Sequence, residues 1–555
     1  MNLVTDCWIP VVINDGIRED ASLMQIFTEG EKYADLAVRP HERVALMRLL
    51  ICIAQAALDG PADKDDWLKA PQKLPDAARM YLEKWNKEEV FELFHPMKPF
   101  MQIPDLKSKE LTPTSKLDLF LSTGNMTTLF DHEANGNEER ILRHKDIAVS
   151  LITFQCFSSG GGLPVTQWQG IKTGQVGNTD ALCLTGGMYH TFFRGKTLIE
   201  SICLNLLPKT TVNRYYGNVN KKHDERDIDE KRFWGKPVWE MMPAKPTDIE
   251  RIENATHTYL GRLVPMCRWI KIENYGKGFH CGKGFDYPVM DRKVQKPKKN
   301  KPILPVWPAE PTASVDLNKE NTERFVKGAK PDKAVWRELA AILIKRDASG
   351  IGGPLSFENP LPTKDMDIHV CALVRDQASI EKMVEAVYNI SSKIFSEQGR
   401  SVYEMEVQQA EWIARKLGYA VETYRRNLDN FWDQRLEMAR KDKNKLKAKL
   451  YAKATRSFWT TIEKQRHLLM ACIDALDDSG RYETALNTWR TAIHQAARDA
   501  FISACGQETP RQMRAFALGW KKLFVEKKEG SVEQNEEQNE DQNNEQDNDN
   551  EGGEE

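Results

Sequence analysis

From about residue 400 proline disappears from this chain and returns only at Pro510. Proline interrupts helices by removing a backbone donor and clashing with the preceding turn, so its long absence leaves room for long helices. The same stretch carries apolar residues at helical period. The pattern predicts helices over 404–440, with a break near Gly418, then 445–475, 481–505 and 509–526. Ile413 and Leu417, then Leu468, Leu469, Cys472 and Leu476, fall on inward faces. Four amphipathic helices with short connections read as a four-helix bundle over 400–528. Residues 529–555 are mainly Glu, Gln, Asn and Asp with almost nothing apolar, the composition of a disordered acidic tail.

The proline-punctuated part, 1–399, reads differently. Leu3 to Ile13 is apolar and β-branched, Asp15-Gly16 supplies a turn, and a polar strand completes a hairpin. Between Glu42 and Leu58 the pattern becomes helical, with Val44, Leu46, Leu49, Leu50, Ile53 and Ala57 on a wide apolar face that Gly60-Pro61 terminates. A second helix is predicted over 74–94, ended by His95-Pro96. Residues 100–370 alternate short strands and helices. The expected fold class is therefore α+β, a large mixed N-terminal domain followed by the bundle and the tail, which suits a chain of 555 residues. No run reaches the length of a membrane span, and the first residues lack the basic and apolar regions of a secretory signal. Ten scattered cysteines read as reduced, packed thiols of a cytoplasmic protein.

The net charge of −2 conceals an uneven distribution. Ser531 to Glu555 holds eleven acidic residues and no basic one, leaving 79 basic against 70 acidic residues in the remainder. A basic body suits a nucleic-acid partner, although an excess of nine over some 530 residues is also ordinary. Catalytic motifs are missing: there is no His-Glu-x-x-His, no Gly-x-Ser-x-Gly, no Walker loop and no Rossmann fingerprint. His280-Cys281 are adjacent and cannot close a tetrahedral metal site, and His223-Asp224 sits in a charged stretch. No metal site, no cofactor and no catalytic residue is expected, so the sequence argues for binding.

Ser158-Ser159-Gly160-Gly161-Gly162 follows an apolar run ending at Phe157; glycines let a backbone approach a ligand closely, or simply make a flexible loop. Six of the ten residues from Arg292 to Lys301 are basic, and Pro297 and Pro302 keep them extended. Such a segment is either a finger along a phosphate backbone or a solvated loop. From Arg440 to Arg456 there are eight basic residues against one Asp; Lys445, Lys449, Lys453 and Arg456 share one side of a helix and are candidates for contacting a displaced strand, or a solubilising face. Arg375-Asp376-Gln377 forms a polar tip after the strand-like His369–Val374.

With these signals in order, the chain resembles CasA, the large subunit of the type I-E CRISPR surveillance complex Cascade. The resemblance rests on the opening Met1 to Val11, on Leu49 to Gln55, on Pro99-Phe100-Met101-Gln102, on the glycine loop, on Trp307-Pro308 and on Arg375 to Ile380. It spans roughly residues 1–526. It implies a non-catalytic subunit that recognises the protospacer-adjacent motif (PAM) of double-stranded DNA from the minor groove. It further implies that the subunit starts strand separation for guide-RNA pairing, which forms the R-loop, and helps recruit the helicase-nuclease. Implied partners are guide RNA (crRNA), double-stranded target DNA and the other Cascade subunits, namely backbone, small and handle-binding subunits.

Carried over by the resemblance, Gly160, Gly161 and Gly162 match a glycine loop against the groove. Lys298, with Lys299 next, matches a lysine finger, and Gln377 matches a wedge beneath the motif. Leu129, Phe130 and Asp131 match a loop reaching guide RNA and neighbouring subunits. Departures accompany the match. Asp376 stands where asparagine is expected, so a carboxylate beside DNA needs a counter-charge such as Arg375. The segment Leu163–Leu184, with its Gln167-Trp168-Gln169, is longer than the family's, and a mid-chain cysteine cluster of some relatives is missing. Two other readings remain: a metal-dependent nuclease with dispersed carboxylates, and a guide-RNA scaffold that inspects no DNA.

Overall fold

The computed structural model describes residues 1–121, 142–173, 180–217, 231–273, 275–288, 310–317, 324–330, 333–346, 351–361, 365–376, 379–429 and 440–524. It divides into two compact units, Met1–Glu404 and Met405–Glu555. The division falls inside the helix Glu397–Asp429; the boundary expected from the sequence was 399/400.

The first unit is built around the helix Pro40–Leu58, which is buried on every side from Pro40 to Gln55 apart from Arg43. Such all-round apolarity marks a core helix. Its first turn carries proline, whose missing N–H costs nothing there, and Glu42 accepts the Arg39 backbone N–H at 2.9 Å. Against it pack the helix Lys64–Lys87 and the apolar helix His144–Phe157. The helix expected at 74–94 starts at Lys64 and ends at Lys87. Asp63 caps it through the Asp66 N–H at 2.9 Å, and Pro71 and Pro75 are accommodated within.

The opening hairpin is present as Ile9–Ile13 against Arg18–Ala21, with Tyr33–Leu36 pairing on the other side of the first strand. Leu3 and Val4 are buried but precede the strand. A second three-stranded sheet orders Ser379–Ile390, Met366–Asp376 and His190–Arg194, with the middle strand central. Short two- and three-stranded sheets complete the unit, among them Arg268–Glu273 with Gly278–Lys283. All ten cysteines are free and only Cys7 is exposed.

The second unit contains the helices Arg440–Lys464, Arg466–Asp474, Ser479–Ala504 and Pro510–Phe524, together with most of Glu397–Asp429. The break expected near Gly418 does not occur. A Cβ at Gly418 would lie 2.7 Å from the Tyr451 ring, so this glycine lets two helices approach closely. The predicted helix 445–475 is interrupted at Gln465. Ile413, Leu417, Leu469 and Cys472 are buried as expected, while Leu468 and Leu476 are only half-buried. The acidic tail, 529–555, lies outside the described residues. Among those residues no helix is long and apolar enough to cross a membrane.

Candidate nucleic-acid interface

The helix His144–Phe157 stops because Ser158 turns extended (φ −60°, ψ 131°) and glycines follow. The base of the glycine loop is fixed. The Ser158 carbonyl accepts from the Ala181 N–H at 2.9 Å, and the Gly160 N–H donates to Asp180 Oδ1 at 2.8 Å. The buried Arg268 guanidinium donates to the carbonyls of Ser158 and Ser159 at 3.4 and 3.2 Å. Beyond that base the loop is open, since a Cβ added at Gly161 or Gly162 would meet nothing within 4 Å. Gly261 offers the contrast: its Cβ would lie 2.0 Å from the Asn254 carbonyl oxygen, so packing demands glycine there. At Gly162 nothing in the folded chain demands it, whereas Gly161 stands at φ 158°, a backbone conformation that itself favours glycine; at both, the free space is available to a close-approaching partner.

Lys298 and Lys299 lie outside the described residues, but both flanks of their segment are held by one side chain. Arg262 donates to the Pro288 carbonyl at 2.9 Å and to Glu310 Oε1 at 2.7 and 3.1 Å. Glu310 in turn pairs with Arg48 of the core helix at 2.8 Å, and all three side chains have no exposed surface. Burial pushes the Glu310 carboxyl up, but the two guanidinium groups outweigh it and hold it below the usual carboxylate range. Arg48 also donates to the carbonyls of Leu263 and Arg262 at 2.8 and 2.6 Å, which ties the site into the core.

Met366–Asp376 and Ser379–Ile390 form a long antiparallel hairpin. Its register shifts after Val374↔Lys382 to Arg375↔Ile380 and Asp376↔Ser379, leaving Glu381 as an extra residue on the second strand. A bulge of this kind bends and re-aims the end of a hairpin. Gln377 belongs to the pair of residues outside the described set that join Asp376 to Ser379, and the Arg375 and Asp376 side chains are likewise outside it. The expected counter-charge between Arg375 and Asp376 is therefore not addressed by the described atoms.

The bases of these segments converge on the strand His190–Arg194. Thr191 pairs with Val370 of the hairpin, and its N–H donates to the Thr312 carbonyl just beyond Glu310 at 2.9 Å. His190 Nε2 lies 2.9 Å from the Cys183 carbonyl, in the turn that follows Asp180. The buried His190 ring is held down to about 4, by burial first and then by Arg48. Sequence reading missed Arg48, Arg262, Arg268, Asp180 and Glu310, because single charged residues carry no motif; only Arg and Glu within apolar surroundings hinted at buried pairs.

Other expected contacts are distributed elsewhere. Leu129, Phe130 and Asp131 lie outside the described residues. Lys449, Lys453 and Arg456 are exposed on the helix Arg440–Lys464, whereas nothing is described of the Lys445 side chain. Tyr451, 46% exposed, sits between Lys449 and Lys453 in sequence but on the opposite face of the helix, where its ring lies beside Gly418. Gln169 is already engaged by Asp105 at 2.9 and 3.0 Å, while Gln167 is exposed on a short strand. His280 Nδ1 contacts Ser108 at 2.7 Å and the neighbouring Cys281 is buried.

A family model described as CRISPR-associated protein Cse1 matches residues 2–500. A CRISPR-associated protein CasA/Cse1 of Thermus thermophilus is 23% identical over 528 residues, covering 90% of this chain and 91% of that protein. The crystal structure of Thermobifida fusca Cse1 superposes with a TM-score of 0.69 at 18% identity, over 94% of this chain and 98% of the other. A chain in a structure called a CRISPR RNA-guided surveillance complex superposes with a TM-score of 0.61 at 14% identity, over 95% and 99% of the two chains.

Proposed function

Because the chain belongs to the Cse1 (CasA) family of CRISPR-associated proteins, we propose that it is the large, non-catalytic subunit of a type I-E Cascade surveillance complex. In that role it inspects the PAM from the minor groove, starts strand separation, and helps recruit the helicase-nuclease once the R-loop has formed. Its partners are guide RNA, duplex target DNA and the backbone, small and handle-binding subunits, in the cytoplasm.

The observation that carries this reading is the glycine loop, rigid at its base and open at Gly161 and Gly162. A pre-positioned backbone with no side chains can enter a groove about 6 Å wide at little ordering cost. The minor groove separates A·T from G·C poorly, so backbone and lysine contacts give permissive reading of a short motif. Lys298 then supplies charge to the groove, and Gln377 at the hairpin tip supplies the wedge. Unstacking a step costs roughly a few kcal/mol, which guide pairing offsets. The exposed Lys449, Lys453 and Arg456, on one face of their helix, suit the phosphates of a displaced single strand.

The test is Gly162→Ala in the assembled, guide-loaded complex. The added methyl meets nothing in the chain, so thermal stability should stay within about 0.5 kcal/mol of the parent. Binding to a matched duplex with its flanking motif should weaken at least tenfold, while a target with the protospacer already unpaired should bind unchanged. If duplex binding is unaffected by Gly162→Ala and also by Lys298→Ala and Gln377→Ala, the gate reading fails and the scaffold reading replaces it. Cleavage of DNA by the isolated chain with Mg²⁺ or Mn²⁺, abolished by chelation, would instead favour the nuclease.

A further inference from the structure

We propose that His369, Cys371 and Glu385 form a zinc site that staples together the two strands of the long hairpin. The inference is independent of the proposed function.

The strand register creates the site. Cys371 lies directly opposite Glu385, and His369, two residues before Cys371, points to the same face of the sheet. His369 Nε2 is 2.8 Å from Glu385 Oε1, and Cys371 Sγ lies 3.2 Å from His369 Nδ1 and 3.5 Å from its Nε2. One donor atom from each residue lies within 4.8 Å of the others. In a tetrahedral zinc site, with bonds of about 2.0 Å to nitrogen or oxygen and about 2.3 Å to sulfur, donor atoms sit about 3.3–3.6 Å apart. Two of the three donor separations are thus near or below that spacing and the third is within 4.8 Å, so zinc requires His369 and Glu385 to open by about half an ångström and the imidazole to turn until Nε2 faces both partners. No spacing rule applied to the sequence detects this, since the carboxylate comes from the neighbouring strand; the expectation of no metal site rested on local spacing and on the missing mid-chain cysteine cluster.

The donor set selects the metal. One sulfur, one imidazole and one carboxylate suit Zn²⁺ and are poor for Mg²⁺ or Ca²⁺, which demand oxygen. Binding displaces the thiol proton to solvent and leaves a thiolate and a carboxylate, whose two negative charges match the ion. His369 and Cys371 are buried while the Glu385 side chain is 41% exposed, so the ion enters, and a water completes its coordination, from the Glu385 side.

The surroundings are compatible with the ion. Arg43 Nε lies 3.9 Å from Glu385 Oε1, but its guanidinium is neutralised by Asp35 and donates to the Leu36 carbonyl at 2.8 Å. It is placed to orient the carboxylate from outside, as such neighbours do in metal sites. The same three side chains also have the order of a nucleophile, base and orienting acid. Cys371 is 1% exposed, however, and no substrate carbon can reach its sulfur. A metal bridging the central strand to the outer strand would lock their register below the bulge, and so stiffen the arm that carries Gln377.

The full-length chain, stripped with a chelator and dialysed, should take up one equivalent of Zn²⁺ in competition with a chromophoric chelator. Co²⁺ should give tetrahedral visible bands and a thiolate charge-transfer band. Cys371→Ser should abolish that charge-transfer band and Cys7→Ser should keep it. Glu385→Gln, at a half-open position that tolerates the amide, should weaken Zn²⁺ at least tenfold, and decides the matter if Cys371→Ser does not fold. No uptake by the parent chain, a charge-transfer band that survives Cys371→Ser, or unchanged affinity in Glu385→Gln would each overturn the site.

Discussion

In the unit Met1–Glu404 the carboxylate of Glu310 has no exposure and sits between two guanidinium groups that have none either. In the unit that begins at Met405, Glu406 is equally buried, but its partner Arg490 keeps 44% of its side chain exposed. The first arrangement joins residues 48, 262 and 310 and holds both flanks of a loop. The second joins two helices whose apolar faces would pack without it. A fully desolvated ion network contributes little net stability over an apolar core but makes each member indispensable once the others are present. A half-exposed pair is more forgiving, because water takes over what the partner loses. In the mixed unit, then, the polar network specifies where loops leave the body, while the helical unit is held by periodic apolar contact.

The sharpest way to break this contrast is Glu310→Gln. It leaves Arg48 and Arg262 buried without a counter-charge and should cost about 3–5 kcal/mol. Arg490→Ala should cost about 1–3 kcal/mol, set by the unpaired Glu406. Chemical denaturation followed by fluorescence measures both, and equal losses would remove the distinction.

Acid should discriminate next. His190 is ordinarily at 6.5 and is held at about 4 in the fold, mainly by burial and then by Arg48. The unfolded chain therefore binds the proton more readily between those values. The contribution is complete above pH 6.5 and is lost as pH falls towards 4, amounting to about 3 kcal/mol. Stability of the parent measured across that window should fall with acid, and His190→Gln should flatten the slope. A slope that survives His190→Gln unchanged would place the acid sensitivity in another group.

The smallest effect on stability is expected from Lys449→Glu, Lys453→Glu and Arg456→Glu combined. These side chains are exposed, so each change should stay within about 0.5 kcal/mol. The R-loop formed by the assembled complex should nevertheless lose stability and show a shallower dependence on salt. An R-loop unaltered in both respects would remove the displaced-strand role of this helix.

Much of the local structure was legible. The core helix announced itself through apolar residues from Val44 to Ala57, and its observed range, Pro40–Leu58, extends that pattern by one proline-led turn. The helix Lys64–Lys87 was misread at its start because Pro71 and Pro75 look like boundaries to anything that judges residues locally, and at its end because His95-Pro96 reads as the stop. Gly418 was misread for the same reason; a glycine weakens a helix unless a neighbour such as Tyr451 needs the space. The glycine loop was visible as a motif, but its anchors, Asp180 and Arg268, were not, since each is a lone charged residue far along the chain.

The sequence by itself determined the periods: where proline permits long helices, where apolar residues alternate, and where glycines free the backbone. Those are properties of a residue and its near neighbours, set by sterics and by one-dimensional spacing. Only the tertiary structure decided which charges meet. Arg262 finds Glu310 and Pro288, and Glu385 finds His369 and Cys371, through strand register and helix packing. Those pairings depend on distances in space, where Coulomb attraction, burial and metal affinity all act, and residue numbers carry no trace of them.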